Sequence, residues 1–193
     1  MERIIYLQEV GKLNQSVFIK LKNNLERELK EFNIRVKLNK DQITLTDSEY
    51  NNSKKKFNAS KILKKIKRKY LKKDFFRILG TLDEDIYTKN YHFVFGSANM
   101  NPGIGLISLT RLRKKFYKGA SILYKKNETR KDIEDRILKE AIHELGHTFG
   151  LKHCMNFCVM RNSNSLKDID KKSLKFCDSC LNLLRGVLNQ INI

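Results

Sequence analysis

Hydrophobic residues recur along this chain at two spacings, every second residue or every fourth, and the switches between them mark out the elements. Ile4, Ile5 and Leu7 within Arg3 to Gln8 predict a first strand. Val17, Leu21, Leu25 and Leu29 then return every fourth residue, the stripe of an amphipathic helix. Ile34, Val36 and Leu38 alternate with Arg35 and Lys37, as a half-buried strand requires. The polar stretch Asp47 to Ser53 reads as a loop, and Ser60 is placed to cap a second helix with Ile62, Leu63, Ile66 and Tyr70 on its inner side. Phe75 to Leu79 and His92 to Phe95 predict further strands, joined through Asp83-Glu84-Asp85. Asn101-Pro102-Gly103 is a turn, and Ile104 to Thr110 is expected to be an edge strand.

The clearest helix begins at Thr129, whose spacing to Asp132 is that of a capping box. Its apolar positions Ile133, Ile137, Ala141 and Leu145 repeat at i, i+4, and Gly150 is a suitable C-terminal stop. Beyond it lies a loop-rich tail that closes on a short helix near Leu181 to Leu188. There is no internal repeat and no clean linker. The alternation of strands and helices predicts an α+β (mixed α/β) fold, a twisted mixed sheet backed by helices. The expected organisation is a single catalytic domain over 1–193, with an N-terminal subdomain 1–150 and a small C-terminal subdomain 151–193.

Composition adds an electrostatic question. The 193 residues carry 40 Lys+Arg against 21 Asp+Glu, a net charge of +19, which attracts polyanions without naming one. Eleven of the basic residues fall between Lys54 and Lys73 with no acid among them. A second run, Arg111, Arg113, Lys114, Lys115 and Lys118, follows the expected edge strand. Either run could serve nucleic acid or another polyanion; equally, each could be the solvated face of a helix. At 40% hydrophobic residues the chain can bury a core, and one Pro excludes a proline-rich linker. The apolar N-terminal stretch is too short for a secretory h-region, and no run approaches the roughly 20 residues a membrane span needs. A cytoplasmic, monomeric protein with no membrane partner is the expectation.

The chemistry is concentrated near the C-terminus. Three of the four histidines and all four cysteines lie between 143 and 180. In a helix, residues four apart differ by about 400° of rotation, hence by roughly 40°. His143 and His147 therefore project from one face and can share a metal, with Glu144 beside them. Gly150 lets the chain turn so that His153 can be the third ligand. Three imidazoles with a fourth position open are a catalytic zinc arrangement. A zinc-bound water, deprotonated by Glu144 as general base, would then hydrolyse a peptide bond. Cys154, Cys158, Cys177 and Cys180 supply the two half-sites of an all-thiolate structural zinc, whose binding energy would help fold a tail with few apolar residues. Two zinc ions per chain follow, one catalytic and one structural. His92 sits in an alternating stretch and is left out of the site.

The run His143-Glu144-Leu145-Gly146-His147-Thr148-Phe149-Gly150-Leu151-Lys152-His153 is the metzincin motif. With Cys154, Cys158, Met160, Cys177 and Cys180 after it, the chain resembles the archaemetzincins, zinc metalloproteases of the metzincin clan. The resemblance implies a metzincin-like fold with a small zinc-bound C-terminal subdomain, a second zinc on these four cysteines, and Met160 as the methionine beneath the catalytic site. It also implies that peptide or protein substrate is laid along an edge strand, here expected near Ile104 to Thr110. The three residues between Cys154 and Cys158, and the sixteen between Met160 and Cys177, are each one fewer than is usual in the family. The competing reading is a polyanion-binding zinc protein, for nucleic acid or ribosome, with little or no proteolytic activity.

Overall fold

The computed structural model describes residues 2–71, 73, 75–117 and 128–191. Its centre is a five-stranded sheet. The strands are β1 (Arg3–Glu9), β2 (Ile34–Leu38), β5 (Arg77–Leu82), β7 (Gly96–Asn99) and β8 (Ile104–Ser108), in spatial order β2-β1-β5-β8-β7. The first four are mutually parallel, and β7 returns antiparallel to β8. A second, three-stranded sheet joins β3 (Tyr50–Asn51), β4 (Lys56–Asn58) and β6 (Ile86–Tyr87).

Helices α1 (Gln15–Glu28) and α3 (Arg130–Thr148) cover one face of the main sheet, and α2 (Ala59–Tyr70) covers the other. Side-chain alternation assigns the faces. Ile5, Leu7, Leu79 and Ile107 pack with Leu21, Leu25, Ile137, Ala141 and Leu145. Ile78, Leu82, Ile104 and Leu106 pack with Ile62, Leu63 and Ile66. Two helices complete the tail, α4 (Leu166–Lys171), which the periodicity gave no sign of, and α5 (Asp178–Gln190), longer than expected.

Several expectations need correction. Ile104–Ser108 is not an edge strand: all five residues are buried and the strand pairs on both sides, with β5 and with β7. A near-continuous apolar run is what burial on both faces demands. The edge is β7. His92 to Phe95 is not a strand either; it contributes a single bridge, Val94 to Ile86, before β7 begins at Gly96. The strand expected over Phe75 to Leu79 lies at Arg77–Leu82. Asn58, not Ser60, caps α2, its side chain accepting from Lys61 N, because the helix already starts at the buried Ala59. The Asp47 to Ser53 loop contains the two residues of β3.

The two basic runs differ in their surroundings. Ile62, Leu63, Ile66 and Tyr70 turn inward, so Lys61, Lys64, Lys67 and Arg68 are the exposed face of α2, while Lys65 bonds the buried Glu49 at 2.8 Å. Arg111 makes a bidentate pair with Asp85 and Arg113 pairs with Asp83, so the acidic connector absorbs much of the second run. Lys72 and Lys118 lie outside the described residues. No helix among the described residues is long and apolar enough to cross a membrane.

Candidate active site

Helix α3 is fixed at several points before it reaches the histidines. Thr129 and Asp132 form the expected capping box. Arg136, 2% exposed, holds Asp170 at the end of α4 through two bonds of 2.6 and 3.0 Å, donates to the Leu112 carbonyl, and also pairs with Glu128. The helix then ends where Gly150 adopts φ 86°, a conformation that redirects the chain toward His153.

The three histidines converge as the spacing requires. Their ring nitrogens lie within 4.8 Å of one another. His143 Nδ1 donates to the Val159 carbonyl at 2.9 Å and His147 Nδ1 to the Leu151 carbonyl at 2.7 Å. A carbonyl can only accept, so each Nδ1 carries the proton and each Nε2 presents a lone pair. These two lone-pair atoms face each other at 3.1 Å. Such a contact is repulsive unless a cation lies between them, and tetrahedral zinc with bonds of about 2.0–2.1 Å would set its nitrogens about 3.3 Å apart. Burial pushes the His143 imidazole well below its ordinary pKa, and His147 and His153 are shifted down for the same reason. Neutral ligands are thereby favoured. The donor set fits zinc.

The four thiols form a second cluster within the same distance limit. Cys154 Sγ and Cys177 Sγ are 3.7 Å apart, far too long for a disulfide and close to the ~3.8 Å edge of a tetrahedral zinc–thiolate site. Hydrogen bonds from Cys180 N–H and from Asn156 pull the Cys177 thiol down to about 6, toward the thiolate a metal takes. The two clusters are coupled through Met160, which is fully buried. Its carbonyl accepts from Cys154 N, its N–H meets Cys158 Sγ, and its Sδ fills the space a side chain at Gly146 would need. The shortened Cys154–Cys158 loop therefore still seats Met160 under α3.

Glu144 lies outside both clusters, 4% exposed. Burial, reinforced by the charge of Glu140, raises its carboxyl well above the ordinary range. Its Oε2 is buried and has no hydrogen-bond partner among the described residues, which leaves room for a water or a proton. Gly96 makes the space: a Cβ there would stand 2.5 Å from Glu144 Cγ and Oε1.

A cleft of about 420 Å³ opens over this group, lined on one side by Glu140, His143, Glu144, His147 and His153. Residues 91–98 form a further part of its wall, and Asn162, Ser163 and Asn164 also line it. His92 lies in this wall and away from the histidine cluster. Glu140 and the 162–164 segment were not identified from the sequence. Only Glu140 carried a signal, since i−4 from Glu144 puts it on the same helical face.

Comparison with known proteins agrees with this geometry. The model of peptidase family M54 matches residues 1–186. The chain belongs to peptidase family M54. It is accordingly a zinc metallopeptidase, a hydrolase. The archaemetzincin of Pyrococcus furiosus is 34% identical over 98% of this chain and 96% of its own. The crystal structure of archaemetzincin from Methanopyrus kandleri superposes with a TM-score of 0.81 at 28% identity, covering 97% of each chain. A zinc-dependent peptidase from Methanocorpusculum labreanum gives 0.76 at 26% identity, over 93% of this chain and 99% of that one.

Proposed function

We propose that this M54 member hydrolyses peptide bonds in the cleft over α3 by a metzincin-type mechanism. His143, His147 and His153 would hold the catalytic zinc, and Cys154, Cys158, Cys177 and Cys180 a second, structural one. Zinc in the first site supplies a Lewis acid and lowers the pKa of water toward about 7. The observation that carries the reading is the convergence of three imidazoles beside a buried carboxyl group whose Oε2 has no partner among the described residues, in an open cleft.

The chain's own residues divide the remaining work. The free edge of β7 is suited to pair with a peptide as an added antiparallel strand, with Ser97 and Ala98 in the cleft wall. Main-chain pairing holds the substrate without regard to side chains. Glu144 takes a proton from the attacking water and hands it to the departing amine, acting first as base and then as acid. Its raised proton affinity suits a group that must hold that proton between the two transfers. The chain acts as one catalytic unit: residues 1–150 bring the sheet, α3 and two histidines, and 151–193 bring His153, Met160 and part of the cleft lining. Four thiols gathered for a metal rather than joined in disulfides fit a reducing compartment such as the cytoplasm.

The test is a quenched-fluorescent peptide library, read with zinc-loaded and with chelator-treated protein. Cleavage that disappears with chelation and returns with zinc supports the proposal. Absence of metal-dependent cleavage across the library would overturn it in favour of a binding role.

A further inference from the structure

The cleft has an electrostatic character opposite to that of the protein. In a chain of net charge +19, no Lys or Arg among the described residues lines it, and the charged side chains other than histidine that do so are Glu140 and Glu144. Glu144 is committed to the reaction. Glu140 is not, and its setting is unusual. It is 4% exposed, one turn of α3 before Glu144. Its Oε2 accepts from Lys172 Nζ at 3.3 Å, a lysine whose side chain is 0% exposed. Oε1 accepts no hydrogen bond among the described residues. Lys172 does not reach the cleft lining. Lys172 thus pairs with Glu140 from behind, and of the two only Glu140 lines the cleft.

The position of Glu140 along a bound peptide follows from strand direction. A Cβ on Gly96 would touch Glu144, and a Cβ on Gly150 would touch Met100. Strand β7 and helix α3 therefore run the same way, and a peptide pairing antiparallel to β7 runs against both. Its C-terminal part then lies over the earlier turns of α3, where Glu140 is. The adjoining wall is aromatic: Tyr91, Phe93 and Phe95 line the cleft, with Phe93 braced by the Arg111 guanidinium at 4.1 Å. Aromatic faces with a carboxylate beyond them accommodate an alkyl stem ending in a cation.

We propose that Glu140, backed by Lys172, selects a cationic side chain, Lys or Arg, on the substrate residue that follows the cleaved bond. This rests on the hydrolytic reading for the direction of the peptide, and binding tests it apart from turnover. The probes are peptide hydroxamates whose first residue after the zinc-binding group is Arg, Lys, Leu or Asp, titrated into zinc-loaded protein by calorimetry. Arg and Lys should bind roughly tenfold to a hundredfold tighter than Leu or Asp, the range of a hydrogen bond to a charged group. Glu140→Gln alone strands a buried lysine, so the informative variant is Glu140→Gln with Lys172→Met, checked for zinc content and thermal midpoint. The Arg-over-Leu ratio should fall to near one in that variant. Equal binding of Arg and Leu by the wild type, binding of no probe, or a ratio unchanged in the folded variant would each overturn the inference. Binding with the expected preference but without cleavage of any peptide would overturn the hydrolytic reading alone.

Discussion

Gly96→Ala tests how closely the fold positions Glu144. Gly96 has no positive φ, so the backbone accepts alanine and the effect is confined to the added methyl. That methyl would stand 2.5 Å from Glu144 Cγ and Oε1 and 2.7 Å from Cδ. Carbon atoms rest about 3.5–4.0 Å apart, so the carboxyl must move by about 1 Å. It has little room, because Glu144 is 4% exposed. A displacement of about 1 Å costs on the order of 100-fold in rate, or about 2.7 kcal/mol of transition-state stabilisation. The assay is kcat/KM on a peptide substrate, with zinc content measured on the same samples. Gly186→Ala is the control: nothing lies within 4 Å of its added Cβ, and α5 should gain about 0.5–1 kcal/mol of stability with activity unchanged. A zinc-replete Gly96→Ala protein with wild-type kcat/KM would refute the claim that this glycine sets the carboxylate's position.

Native mass spectrometry should find two zinc ions on the wild type and one on Cys158→Ser. The lost site should cost cooperative unfolding of the tail, whereas a single zinc on the wild type would remove one of the two assignments. Acid stability should carry a signature of Glu49. Burial pushes its carboxyl up, but bonds from Lys65, Ser48 and Thr46 outweigh this and hold it at about 2, against an ordinary 4.5. Because the folded value is depressed, its contribution is fully present above pH 4.5 and is lost as pH falls toward 2. Denaturant titrations should therefore show a steeper loss of stability over that window for wild type than for Glu49→Gln, and identical slopes would exclude the linkage.

What could be read from the sequence was local. The histidines, Glu144 and each of the two cysteine pairs are set by helical rotation and by short loops, so spacing alone brought each of these groups together. Gly150 and the Thr129 capping box belong to the same class. Strand order does not, because it depends on partners far along the chain. Ile104 to Ser108 looked like an edge strand, yet its unbroken apolar character is what an interior strand between β5 and β7 needs. The true edge, Gly96-Ser-Ala-Asn99, has none of the β-branched residues that announce a strand. The aromatic run before it looked like one and instead walls the cleft. Glu140 and Lys172 are separated by 32 residues, and Arg136 and Asp170 by 34, so neither pair could be matched without the fold.

The central claim is that Glu144 moves the proton in a zinc-dependent hydrolysis, and Glu144→Gln isolates it. The substitution keeps the side chain's shape but cannot accept the proton. Peptide cleavage and zinc content should be measured together on wild type and variant. The account predicts unchanged zinc with kcat lowered by about 100-fold or more, the scale of general acid–base catalysis. Cleavage by the zinc-loaded variant at the wild-type rate would contradict it.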